Sequence, residues 1–332
     1  MAVTLPEVDG VRVTTVVDNS IDLLRADEAI ARRWSVHRAG KIADLRAEHG
    51  LAHHVEVQRG GETARIAFDF GLTSESMTHN FRELGLDAGR IDALALSHGH
   101  LDHFGGLLGF LRRYRRAMPK RLAFYGNPDH FLGRFMVRDG DRVYLGRLDR
   151  EALARYDVEV VDVTAPTVLP EGALLSGEMH EAEPFEAIPP SLRVERDGEI
   201  VADGFIGEQT LVANVRDRGL VVVTSCSHRG IVGICRHAAR VTGIPRVHAV
   251  IGGFHLSGLD EERITRVVDA LQALEVDYLV PQHCTGAEAM VVLGQRMRGQ
   301  LVWSSVGSSF TFGAFGGAFG GASGGASAPS GR

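Results

Sequence analysis

Val11-Arg12-Val13-Thr14-Thr15-Val16-Val17 is almost entirely β-branched and predicts a first strand that ends at Asp18-Asn19. Residues 52–57 and 64–69 predict two further strands around Arg59-Gly60-Gly61-Glu62, whose glycines suit a hairpin. The period then changes: Met77, Phe81 and Leu84 share one helical face, which Gly85 ends. Ile91-Asp92-Ala93-Leu94-Ala95-Leu96 reads as a short buried strand, and Leu107-Leu108-Gly109-Phe110-Leu111, followed by four arginines, reads as a helix. Residues 121–125 form the next strand. In the second half, residues 220–224, 247–251 and 278–280 are apolar strands. Helices follow them from about Gly230, from an Asp260 N-cap with a stripe of Ile264, Val267, Val268, Leu271 and Leu274, and from Gly286 to about Met297. Alternation of strand and helix over this length predicts an α/β fold.

Three stretches lack such a pattern. Residues 22–47 are longer than a strand-to-strand link needs and hold Arg25, Arg32, Arg33, Arg38 and Lys41. Long connections of this kind are usually functional lids or solvated inserts, and a helical piece is expected over residues 27–34. As a lid, Arg32 and Arg33 would bind an anionic substrate. Residues 139–203 are broken by Pro166, Pro170, Pro184, Pro189 and Pro190 and predict an irregular insertion with one hairpin around Arg196-Asp197-Gly198-Glu199. Within it, Glu178, His180, Glu181, Glu183 and Glu186 read as an exposed acidic loop. Residues 313–332 are rich in Gly, Ala and Ser, a composition that cannot bury enough surface to offset its ordering entropy, so a disordered tail is expected.

Composition narrows the picture. A chain of 332 residues, 44% hydrophobic, can bury a large core, and the spread of its patterned segments favours one domain over residues 1–312. A net charge of −6 offers no general attraction for nucleic acid or an anionic membrane. Cys226, Cys235 and Cys284 are too few and too scattered for a disulfide framework, which fits a reducing cytoplasm. Neither a leader nor an apolar run of membrane-spanning length is expected from the pattern. The oligomeric state is not encoded visibly.

The chemistry is concentrated in Ser97-His98-Gly99-His100-Leu101-Asp102-His103, between a strand and a helix. Three imidazoles and a carboxylate within six residues can turn toward one point, because Gly99 allows dihedrals that other residues resist. Neutral imidazole and carboxylate are ligands for Zn, Mn or Fe. Helix starts after Cys226 and after His283 would also point N–H groups at the site, which suits an anion.

The HxHxDH motif after a hydrophobic strand, with Asp69 one strand earlier, resembles the metallo-β-lactamase superfamily of dinuclear metal enzymes. Asp18-Asn19, Glu48-His49-Gly50-Leu51, Ser225-Cys226-Ser227-His228, Gly252-Gly253-Phe254-His255 and Pro281-Gln282-His283-Cys284 resemble the branch named for a dihydropterin-methyl-ribofuranosylaminobenzene phosphate synthase, over residues 11–312. The resemblance implies a four-layer αββα sandwich and two transition-metal ions, Zn ahead of Mn or Fe. It implies a first site of His98, His100 and a ligand from the set Asn127, His130, Cys226 and His228. Relatives place a histidine where Asn127 stands, and an aspartate bridges the metals where Cys226 stands. The second site would take Asp102, His103 and His283. Asp69 would orient the loop, Asp102 and His228 would serve catalysis, and Asn19 and His255 would contact substrate. A hydrolase using a metal-bound hydroxide on a small, phosphorylated molecule is the first functional expectation. The alternatives are a transferase joining a pterin methyl diphosphate to a ribofuranosylaminobenzene phosphate, and a non-catalytic metal or ligand sensor.

Overall fold

The computed structural model describes residues 2–36 and 44–316. The first half runs β1 (Glu7–Val8), β2 (Gly10–Val17), β3 (Ala31–Arg32), β4 (Ala52–Arg59), β5 (Glu62–Phe68), α1 (Ser74–Glu83), β6 (Ala93–Ala95), α2 (Leu101–Phe104), α3 (Leu107–Tyr114) and β7 (Leu122–Gly126). The middle holds β8 (Arg134–Arg138), β9 (Asp141–Gly146), α4 (Arg150–Ala154), β10 (Val158–Asp162), β11 (Thr167–Val168), β12 (Leu174–Leu175), β13 (Leu192–Arg196) and β14 (Glu199–Ala202). The chain then continues through β15 (Leu211–Val215), β16 (Gly219–Val223), α5 (Ile231–Thr242), β17 (Val247–Gly253), α6 (Glu261–Ala273), β18 (Tyr278–Gln282), α7 (Ala287–Arg296) and β19 (Ser309–Gly313).

Two large sheets result. The first has the order β10-β7-β6-β5-β4-β2-β19-β3, and the second β11-β12-β15-β16-β17-β18 with β1 beside β15. Val13, Val55, Phe68, Val221, Ile251 and Phe310 fill the space between them. Met77, Phe81 and Phe110 of α1 and α3 pack on the outer face of the first sheet. Ile234, Leu271 and Leu293 of α5, α6 and α7 pack on the outer face of the second. Helix, sheet, sheet, helix is the four-layer αββα sandwich. β2 is buried along its whole length, its polar Arg12, Thr14 and Thr15 included.

Parallel pairing of β5, β6, β7 and β10, and of β16, β17 and β18, sends their carboxyl ends to one rim. Loops at such ends are where open α/β sheets place ligands.

The unpatterned stretches correct two expectations. Residues 27–34 form no helix: Arg33 N donates to Asp27 Oδ1, and β3 pairs with β19 at the sheet edge, burying the Arg33 side chain. Residues 139–203 are ordered beyond one hairpin. They supply β9 to β14, and β8, β9, β13 and β14 make a small separate sheet of order β14-β13-β8-β9. His37, Arg38 and Lys41, and the tail beyond residue 316, lie outside the described residues. Among the described residues, no helix is long and apolar enough to cross a membrane.

Candidate metal centre

Asp69 closes β5 with φ at +61° and is wholly buried. Its carboxylate accepts from Ser97 N (2.8 Å), Ser97 Oγ (2.8 Å) and Ser225 Oγ (2.5 Å), and lies 3.0 Å from His103 Nδ1. One carboxylate thus ties the loop after β6 to the loop after β16, across the two sheets. Engaging Nδ1 of His103 leaves its Nε2 turned inward, 3.1 Å from Cys226 Sγ. Ser97 Oγ lies 2.9 Å from His98 Nδ1, and His98 Nε2, although buried, has no hydrogen-bond partner.

The second sheet contributes the other side. Cys226, Ser227 and His228 follow β16 through a turn in which Ser227 has φ +63°, and Ser227 Oγ donates to Gly253 O at 2.7 Å. Glu208 receives His228 N (2.9 Å) and Arg229 N (2.8 Å). His283, at φ +48° after β18, is held by Asp18 Oδ1, which accepts its N–H (3.0 Å). Asn19 Oδ1 lies 3.0 Å from its Nδ1, and Asn19 Nδ2 donates to its carbonyl (3.1 Å). Asp69, Phe205, Ser227, His255 and His283 all take left-handed backbone angles here. Each costs roughly 1–3 kcal/mol, and such strain gathers at functional sites.

Three overlapping donor sets result: His98, His100 and His228; Asp102, His103, Cys226 and His283; and Cys226, His228 and His255, with the donor atoms of each set within 4.8 Å of one another. Burial first, then neighbouring imidazoles, hold His98 and His228 well below the usual histidine range, and burial takes His100 down to about 3. They are therefore neutral, the form that ligates. Burial opposes a proton on His103, yet Asp102 and Asp69 on either side raise it to about 10. A cation binding there would have to displace that proton. The unpartnered His98 Nε2 and both unpartnered nitrogens of His228 are what a metal site needs, so the residues present fit divalent ions.

Several sequence-level assignments move. Asn127 and His130 stand apart from the donor sets: Asn127 Oδ1 accepts Asp129 N, its Nδ2 donates to Val163 O and Glu178, and His130 bonds Asn127 N and Gly207 O. Their polar atoms cap a short turn, and the third imidazole beside His98 and His100 is His228, from the other sheet. Arg33 donates to Trp303 O and pairs with Glu28, while Arg32 pairs with Asp27, and neither lines the cleft. The start of α5 is no open anion site either, because Glu186 accepts from Val232 N (3.0 Å) and Gly233 N (2.9 Å). Asn19 lines the cleft but spends both ends of its amide on His283.

The donors floor a cleft of about 650 Å³. Asn19, His49, His255 and Cys284 stand at its rim, and Leu101, Met136, Tyr144, Leu145 and Leu192 form the far wall, largely from the small sheet. Among the described residues lining it there is no lysine or arginine. Sequence reasoning missed Arg134, Asp203, Phe205 and Glu208, which support the donors from behind. Nothing in the sequence pattern marked them, since a single buried Arg or Phe looks like any other.

The sequence of residues 57–212 matches the profile of the Metallo-beta-lactamase superfamily. The chain is similar to the 7,8-dihydropterin-6-methyl-4-(beta-D-ribofuranosyl)-aminobenzene-5'-phosphate synthase of Methanocaldococcus jannaschii, 32% identical over 228 residues covering 67% of this chain and 76% of that one. It is also similar to an uncharacterized protein of the same organism, 29% identical over 237 residues, 69% of this chain and 82% of the other. Among solved structures, a metal-dependent hydrolase of the beta-lactamase superfamily superposes with a TM-score of 0.68 at 26% identity, covering 92% of this chain and 99% of that one.

Proposed function

We propose that this chain, which belongs to the metallo-β-lactamase superfamily in the branch of the dihydropterin-linked synthase, is a metal-dependent enzyme that hydrolyses a small molecule bound in the 650 Å³ cleft. The observation that carries this reading is the convergence of His98, His100, Asp102, His103, Cys226, His228 and His283 from both sheets, with buried nitrogens left unpartnered. His98, His100 and His228 would hold one ion, and Asp102, His103, Cys226 and His283 a second, with Cys226 also within 4.8 Å of His228 of the first set. A thiolate among the ligands favours Zn over Mn. Divalent ions there would supply Lewis acidity, polarising a phosphoryl or carbonyl oxygen and making water nucleophilic near neutral pH.

The chain's own part is orientation. Asp69 fixes the His103 tautomer, and Asn19 fixes His283. Asp102 Oδ2, 3.2 Å from His283 Nε2 and 3.5 Å from His49 Nε2, remains ionised despite burial because imidazoles surround it, so it is available to a cation or to a hydrogen-bond donor. Among the described residues neither Arg32, Arg33 nor any other arginine or lysine lines the cleft, so an anionic group on the substrate would meet the ions themselves. The 32% identical relative is a synthase, which favours a second reading, a transferase that joins its substrate to an arylamine and not to water. The test is product analysis on Zn-loaded protein with phosphodiester, phosphomonoester, lactone and diphosphate substrates, with and without an arylamine. Release of the water-derived product regardless of amine supports hydrolysis, and an amine-dependent adduct supports transfer. Absence of turnover that scales with bound metal would leave the sensor reading standing.

A further inference from the structure

His103 is oriented through Nδ1 by Asp69, His283 through Nδ1 by Asn19, and His98 through Nδ1 by Ser97. Metal-binding imidazoles are ordinarily fixed in this way, by a hydrogen bond on the nitrogen that does not ligate. His228 has no such bond: both its ring nitrogens are buried and unpartnered. Its ring instead lies on Phe205, with centroids 4.0 Å apart and planes 19° apart, the one stacked ring pair among the described residues. The same phenyl ring meets His100 edge-on at 5.2 Å and His98 at 6.1 Å.

Phe205 is itself held with some strain. It has φ +46° and is 1% exposed. Its N–H donates to Asp203 Oδ1 (2.9 Å), and Asp203 Oδ2 receives Nε of the buried Arg134 (2.9 Å), whose guanidinium lies 5.8 Å from the Phe205 ring centre. A few residues on, Glu208 takes the His228 backbone N–H, and Gln209 binds Ser97 O and Leu96 O at the root of the HxHxDH loop. Residues 203–209 therefore form a strap behind the first donor set, fastened at both ends.

We propose that Phe205 is a positioning residue which, by stacking, sets the His228 ring plane in place of the missing hydrogen bond and so defines the geometry of the first ion. This rests on the reading of His98, His100 and His228 as one ion's ligands. Stacking fixes the plane of the ring while leaving either nitrogen free to ligate, which a hydrogen-bonded partner would not.

The experiment is titration of chelator-stripped protein with Co²⁺ alone, followed by its d–d absorption. For Phe205→Leu we expect one of two Co²⁺ affinities to fall about tenfold or more with a changed d–d band, the other staying as in wild type, and Phe205→Tyr to keep the wild-type spectrum. In a His228→Ala background, Phe205→Leu is expected to change nothing further. An unchanged spectrum and affinity in folded Phe205→Leu would overturn the proposal, as would equal weakening of both sites alongside a lowered Tm, which marks ordinary packing. Should Phe205→Leu not fold, Phe205→Met against Phe205→Tyr makes the same comparison of flexible apolar with aromatic. Unaltered Co²⁺ binding in His228→Ala would defeat the ligand reading itself, and the inference with it.

Discussion

Arg134 gives a quantitative test of how the site is supported. It is 1% exposed, and its guanidinium donates to Asp203 (2.9 Å), to the Asp129 carboxylate (2.9 Å) and to the Asp129 carbonyl (3.0 Å), with Gly99 O at 3.5 Å. In Arg134→Met the two carboxylates lose this partner together. Asp129 keeps Arg196 (2.8 Å), whereas Asp203 keeps only the Phe205 N–H. Removing one member of a buried ion pair costs roughly 3–5 kcal/mol. The lower end is expected, because burial already raises the Asp203 pKa and a proton can replace the lost cation. About 3 kcal/mol corresponds to a Tm lowered by roughly 6–12 °C on the scale of larger domains. An uncharged carboxyl needs no cation, so the deficit should narrow as pH falls and Asp203 takes up its proton. Adding Asp203→Asn to Arg134→Met should recover part of the loss, and Arg266→Met, which breaks only the exposed pair with Glu262, should cost under about 0.5 kcal/mol. Chemical denaturation and calorimetry read both. An Arg134→Met protein within about 1 kcal/mol of wild type, or a double variant no better than the single one, would refute the reasoning.

Three more predictions concern the site and its surroundings. Cys226→Ala should lower metal content measured by elemental analysis and Cys226→Asp should restore much of it, because carboxylate can ligate in the same place; equal content in wild type and Cys226→Ala reduces the thiol to packing. Asp69→Asn replaces a carboxylate oxygen by a donor facing the rest of its network, and metal affinity should fall about 10–100-fold, so wild-type affinity would show that Ser97 and Ser225 suffice. Burial raises Glu186 to about 7, above its unfolded value, so the unfolded chain releases this proton first and stability contributed by the protonated form is lost as pH rises toward neutrality. Melting curves of Glu186→Gln should accordingly lack part of the decline that wild type shows between about pH 5 and pH 7, and parallel curves would exclude that role.

What was legible in the sequence follows from how local each signal is. The αββα layering could be read because strands such as β16 and helices such as α6 carry their own periodicity, and the HxHxDH loop because its donors are neighbours in the chain. Asn127 and His130 misled because the resemblance implies a ligand where relatives carry a histidine, while here the two residues form a capping box and bond Val163, Glu178 and Gly207, far along the chain. Arg32 and Arg33 misled for a related reason: a cluster of charge says nothing of where the backbone turns, and pairing of β3 with β19 directs Arg33 inward. The roles of Phe205 and Arg134 depend wholly on contacts between distant segments and leave no local trace.

The donors His98, His100, Asp102 and His103 hang from the first sheet, and Cys226, His228 and His283 from the second. Anything that grips both groups is a clasp at the rim, added to the hydrogen bonds that already cross between the sheets, such as Ser225 to Asp69 and His53 to Gln282. With the clasp fastened, the two sheets can separate only after it lets go, so occupancy should slow unfolding more than it raises the melting point of either half. A chelator would then unfasten the rim and turn a slow separation of the sheets into a fast one, without touching a single core residue.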